Sequence, residues 1–303
     1  VLVESGAALV IQKNIATSLR GGGVYLHDEG SSLRASGNST RVTIENNTAG
    51  EAGGGVSSYA GADVLVESGA ALVIQKNIAI SLRGGGVYLQ DEGSSLRASG
   101  NSTRVTIENN TAGEAGGGMS SYAGAGVLVE SGAALVIQKN IATSVDGGGV
   151  HLHDEGSSLR ASGNSTRVTI KNNTAGRSGG GVFSVGGASV LVESGAALVI
   201  QKNIATSFHG GGVYLQDEGS SLRASGNSTR VTIENNTAGQ AGGGVSSYAG
   251  AGVLVESGAA LVIQKNIATS FHGGGVHLHD EGSSLRASGN STRVTIENNT
   301  AGQ

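Results

Sequence analysis

The chain repeats itself every 63 residues. "VLVESGAALVIQKNIA" begins at Val1, Val64, Val127, Val190 and Val253, so repeats 1–63, 64–126, 127–189, 190–252 and a partial 253–303 account for all 303 residues. Self-similarity of this kind marks architectures in which each unit packs only on its neighbours. No linker and no second domain is left over, and residues 1–303 are read as a single solenoid segment.

Each unit is itself double. Gly21 to Gly23 recur as Gly53 to Gly55, and Ile11 and Asn14 recur as Ile44 and Asn47, giving half-units of about 31 and 32 residues. Within a half-unit three runs rich in Val, Ile, Leu and Thr are bounded by Gly, Ser or Asn, the strand signature. "VLVES", "AALVIQKN" and "GGVYLHD" are the runs of the first half. Helical periodicity is missing. The 54 glycines would also penalise helices, at about 1 kcal/mol for each interior position. Aromatics are only 3% of the chain and tryptophan is absent, so the core must be thin enough for aliphatic side chains to fill.

Three strands per half-unit, repeated, predict an all-β coil: a right-handed parallel β-helix with three strands per rung and two rungs per repeat. Equivalent strands would stack about 4.8 Å apart, and the crossover rule favours the right hand. Period-2 alternation points Leu2, Leu9, Ile11, Val24 and Leu26 inward from the first rung, and Leu33, Val42, Ile44 and Val56 from the second. Column 25, read as Tyr25, Tyr88, His151, Tyr214 and His277, varies among the copies and is expected to face outward.

Asn14 and Asn47 each close a middle strand, where Asn tolerates a left-handed turn. Stacked, Asn14, Asn47, Asn77, Asn110, Asn140, Asn173, Asn203, Asn236, Asn266 and Asn299 are predicted to form a ladder of amides, each bonded above and below. The triple glycine is expected at the start of the third strand, where a Cβ would crowd the core. A lone unit buries too little to fold, so stability should rise with copy number.

"IENNTAGEAGGGV" resembles the paired GGA-I/L/V and F-x-x-N motifs of the polymorphic outer membrane proteins of chlamydiae and related β-helix surface proteins. The resemblance recurs twice per 63 residues along the whole chain. It departs from that pattern in having Ile11 and Ile44 in place of Phe and a third Gly in place of Ala, and its copies are more alike than that family's repeats. It implies the same fold and a surface-exposed adhesive or structural role.

Composition excludes several functions. Without cysteine there are no disulfides and no thiolate metal sites. A net charge of −4 with mixed signs leaves no basic footprint for nucleic acid, and no apolar run approaches the roughly 18 residues of a membrane span. β-Helices include polysaccharide-cleaving enzymes, whose chemistry needs a unique cluster of carboxylates. Here Asp28 and Glu29 recur unchanged in every copy, as a solvated turn or, alternatively, an acidic edge for Ca²⁺. His277 and His279 share a strand face as a metal pair would, yet other copies carry Tyr or Gln there, and surface variation is the preferred reading. Thr43 and its equivalents hint at an ice-binding array, which Val10 interrupts in the neighbouring rung.

Ten N-x-T triplets are glycosylation candidates: Asn38, Asn101, Asn164, Asn227 and Asn290 in "NST", and Asn46, Asn109, Asn172, Asn235 and Asn298 in "NNT". Such triplets also arise simply in Asn- and Thr-rich turns. The column Tyr25, Tyr88, His151, Tyr214, His277 is a candidate surface for sugars or a protein partner. The expected function is a non-enzymatic, cofactor-free extracellular or cell-surface rod that presents regular columns for adhesion or assembly. The alternative is a carbohydrate-binding or carbohydrate-cleaving module. The text begins and ends inside a repeat with no visible cap, so further repeats, or other copies stacked end to end or laterally, are the expected partners, with glycans or cell-surface proteins beside them.

Overall fold

The computed structural model describes residues 1–302, which form strands and turns with no helix among them. The first turn carries strands Leu2–Glu4, Ala8–Gln12, Ile15–Ala16 and Val24–Leu26. The second carries Ser32–Ser36, Arg41–Glu45, Thr48–Ala49 and Val56–Tyr59. Every strand pairs in parallel with its equivalents in adjoining turns, giving three sheets of ten strands and one of nine among the described residues. This is the parallel β-helix expected from the repeat.

Each turn nevertheless has four strands, not three. The additional one, Ile15–Ala16 and its equivalents, is two residues long and follows the ladder asparagine directly. A two-residue strand buries one side chain and has no periodicity to be read in a sequence.

Alternation assigns most of the core correctly. Leu72, Ile74, Val87 and Leu89 are each at most 1% exposed. The first strand has the opposite phase from that expected: Leu2 lies beside Arg34 on the outer face, while Val3 is buried and, in the next copy, Val64 and Val66 line the core. Three consecutive apolar residues, Val1 to Val3, satisfy either phase, so alternation alone does not choose.

The asparagine column runs through the corner between the second and third sheets. Asn77 Oδ1 accepts from the backbone N and Nδ2 of Asn47, both at 3.0 Å. Its own Nδ2 donates to Ile44 O and Asn110 Oδ1, again at 3.0 Å. Both amide hydrogens are thus used, as a buried polar group requires. The left-handed residue at this corner is not the ladder asparagine but the one before it: Lys13 at φ 58° and Asn46 at φ 56°.

The triple glycine abuts this corner, leading into the fourth strand. Gly21 has φ 69°. A Cβ on Gly22 would lie 2.6 Å from the Thr48 backbone, and one on Gly23 would lie 2.8 Å from Asn47 Nδ2. The two motifs recur together because they touch: the amide ladder closes one side of the coil and a strip of bare backbone packs against it.

Candidate functional site

Between the third and fourth strands the chain leaves the coil as a short arm, residues 17–20 in odd turns and 50–52 in even turns, before the glycines bring it back. The arms stack like the strands, with Glu51 N donating to Leu19 O and Leu82 N to Glu51 O. They lean over the outer face of the fourth sheet, so that face becomes the floor of a groove.

The candidate column 25 lies on this floor. It faces away from the core, as expected, but it is not a free surface: Tyr88, His151 and Tyr214 are 5%, 4% and 7% exposed, while Tyr25, in the first turn, is open and His277, near the other end, is half-buried. The arms cover it, a contribution that strand alternation does not reveal. The even turns add Tyr59, Tyr122 and Tyr248 from the next outward column and Phe183 from the same one, so Tyr25, Tyr59, Tyr88, Tyr122, His151, Phe183, Tyr214, Tyr248 and His277 follow one another along the axis. Successive centroids are 6.2, 5.8, 6.2, 5.6, 5.2, 5.2, 6.1 and 6.5 Å apart. At least one ring occupies each of these turns rather than every second turn, and Tyr25, His151 and His277 each have a histidine beside them in the same turn. Ring planes are inclined by 9° to 51° to the next, most of them tilted and His151 stacked on Phe183.

Arginines of the arms roof the rings. Arg20 Cζ lies 4.6 Å from the Tyr59 centroid and Arg83 Cζ 4.5 Å from that of Tyr122, a cation–π geometry. Burial dominates the electrostatics below them. It pushes the Tyr88, Tyr122 and Tyr214 phenols up and lowers the His151 imidazole to about 3.

Five buried side-chain atoms have no hydrogen-bond partner among the described residues: Arg20 Nε, Ser57 Oγ, Arg83 Nε, Tyr122 OH and His209 Nδ1. All five belong to the arms or the groove floor. Arg20 Nε is 3.3 Å from Glu51 Oε2, close enough to attract but not aligned to donate. Repeat variation converges on the same place. Of the 63 columns 13 differ among the copies, and nine of these (17, 19, 20, 25, 27, 51, 52, 57 and 59) belong to the arms and the floor. That comparison was the signal that could have located Arg20, Arg83 and His209, which the strand pattern missed.

The other candidates lie elsewhere. The asparagine ladder is internal, apart from Asn14 in the first turn, which is exposed, and Asn299 near the end, which is half-buried. All ten N-x-T asparagines are exposed. Asn38, Asn101, Asn164, Asn227 and Asn290 sit at the corner before the second sheet, and Asn46, Asn109, Asn172, Asn235 and Asn298 at the corner after it. Asp28 and its equivalents occupy a left-handed turn after the fourth sheet, and the neighbouring histidine stands 2.7 Å away in His27–Asp28, His153–Asp154 and His279–Asp280. Among the described residues no three His, Cys, Asp or Glu side chains are grouped to hold a metal ion. Thr43 pairs with Val10 and Val73, so threonines alternate with valines along the second sheet.

A family model described as a right handed beta helix region matches residues 1–166 and 161–301. No curated protein matches the chain. Among solved structures, that of a TibC-catalyzed hyper-glycosylated TibA fragment aligns over 97% of both chains with 13% identity and a TM-score of 0.19.

Proposed function

This chain belongs to the right-handed β-helix family, and from that premise we propose that it is a non-enzymatic structural solenoid, a rigid surface or extracellular rod whose regular columns serve adhesion or assembly. The observation that carries the reading is the asparagine ladder, which runs from Asn14 to Asn299 without a missing rung. A column of paired amides beside four continuous sheets resists bending at every turn, as a rod must.

Repetition of the ionisable groups supports a role without catalysis. The acidic pair at Asp28 and Glu29 recurs in identical turns, whereas acid–base work requires two groups held in different environments. Assembly has its own support on the third sheet, where Ile78, Ile141, Ile204 and Ile267 are 43–44% exposed in one outward column. Other copies of the chain are the partners such a column suits. The likeness of the Ile-x-x-Asn and GGGV motifs to chlamydial surface proteins favours a location at the cell surface, and the exposed N-x-T rows offer places for glycans.

Electron micrographs of native material test the proposal together with assays on acidic polysaccharides. Uniform rods or fibres without cleavage are expected. Compact particles, or measurable cleavage, would overturn it. Intact mass before and after glycosidase treatment reads the N-x-T rows separately.

A further inference from the structure

Arginines lie across the buried rings of the groove in the first two copies and not in the third and fourth, although beside the exposed Tyr25 of the first turn a cavity of about 480 Å³ also stands open. In copies one and two the arm carries Arg20 and Arg83, whose guanidinium groups lie on the rings and beside Glu51 and Glu114. In copy three the order of charges is reversed: Asp146 stands in the arginine column and Arg177 in the glutamate column. Asp146 is too short to reach across the rings. It folds back, its Oδ1 accepting from Ser178 N at 2.9 Å. His209 takes the same column in copy four, and Arg177 moves outward onto Phe208, with Cζ 5.3 Å from the ring centroid. A half-open cleft of about 230 Å³ remains, walled by these residues with Tyr214 and Gln216.

We propose that this cleft binds one neutral sugar residue, the terminal hexose of a glycan. The assignment rests on the reading of the chain as a non-enzymatic surface solenoid and names what that surface recognises. Size is the first argument: the cleft lies below the roughly 300–1,000 Å³ of pockets for larger ligands, which suits a single ring.

Charge is the second. Asp146 and Arg177 contribute one of each sign, and burial lowers the His209 pKa so that the imidazole stays neutral at neutral pH. Neither an anion nor a cation is favoured over an uncharged polyol. Hydrogen bonding is the third. His209 Nδ1 is buried without a partner. Tyr88 donates to Gln90 Oε1 at 2.6 Å in copy two, but no equivalent bond joins Tyr214 to Gln216, which leaves a phenol and an amide unengaged. Carboxylate, imidazole, phenol and amide together accept and donate, as the adjacent hydroxyls of a pyranose do. Phe208 supplies the apolar wall.

The test uses saturation-transfer NMR and titration calorimetry on the full chain with glucose, galactose, mannose and N-acetylglucosamine, each free and as the methyl glycoside, with glucuronate as the charged control. At least one neutral glycoside should bind, and glucuronate should not. Gln216→Ala should weaken binding about tenfold or more. The pair Asp146→Arg with Arg177→Glu rebuilds the roof found at Arg83 and Glu114. It should abolish binding while leaving the melting transition unchanged. Absence of binding by every neutral sugar, binding of free sugars but not glycosides, or undiminished binding by the rebuilt variant would each overturn the inference. None of those results touches the rod. Conversely, cleavage of oligosaccharides would overturn the rod reading while a binding cleft remained.

Discussion

One side-chain amide per turn does the polar work of a whole corner, and the consequence is concentrated sensitivity. Asn110 Oδ1 accepts from Asn77 N and Nδ2, and its Nδ2 donates to Ile74 O and Asn140 Oδ1. Asn110→Ala strands a buried N–H, a carbonyl and two neighbouring amides, at about 1–3 kcal/mol for each group left unsatisfied. A fall of several kcal/mol in unfolding free energy, read from denaturant titration, is the expected result. Asn101→Gln, at an exposed turn, should change it by less than about 0.5 kcal/mol. The buried His151 carries the clearest dependence on pH. Its folded pKa, about 3, lies below the ordinary 6.5, chiefly because burial disfavours the charged ring, with Arg83 and His153 adding to it. As pH falls below the unfolded value the unfolded chain takes up a proton that the folded chain refuses, so stability is lost progressively down to the folded value. His209 and His277 push the same way. Asp146 opposes them, since burial raises its carboxyl and favours proton uptake by the folded chain. His151→Tyr, the residue present at Tyr88 and Tyr214, isolates one contribution: from about pH 7 to about pH 5 it should lose about 2 kcal/mol less stability than the parent chain.

Among the elements, what could be read in advance follows from how each one is stabilised. Strands such as Ala71–Gln75 announce themselves because every second residue enters the core. Ile78–Ala79 does not, because the asparagine ladder and the neighbouring turns fix it rather than its own pattern. The arms were equally hidden. They hold few apolar residues and bury rings that belong to another element, so a periodic reading placed Tyr88 and His151 on a free surface. Glycine was legible as a motif but not in its full role, which depends on two backbones meeting across a turn. A Cβ on Gly118 would sit 2.6 Å from Gly149 O, 2.8 Å from Ile137 Cγ2 and 2.9 Å from Asn140 Nδ2. Gly118→Ala should therefore cost about 1–3 kcal/mol or more in thermal or denaturant unfolding. Gly126→Ala is the control. Its new Cβ would meet nothing closer than 3.5 Å, and Asp63 and Ser189 already stand in that column. Its effect should be within about 0.5 kcal/mol.

At the scale of the whole molecule, stability is a property of stacking. Each turn meets only the turns beside it, and the aliphatics that are fully buried inside lie open at the ends: Ile74 is 0% exposed, whereas Ile296, in the last turn, is 50% exposed. Chains of one, two and four repeats should accordingly show a rising denaturation midpoint, with the single repeat unfolded. Equal midpoints would mean that the units fold independently. The whole coil depends on like residues lying over like from one turn to the next. A density map that separates individual strands tests this directly. The result expected is four parallel sheets with about 4.8 Å between turns and the asparagines in one file at the corner after the second strand. Antiparallel neighbours, or asparagines scattered around the coil, would contradict it.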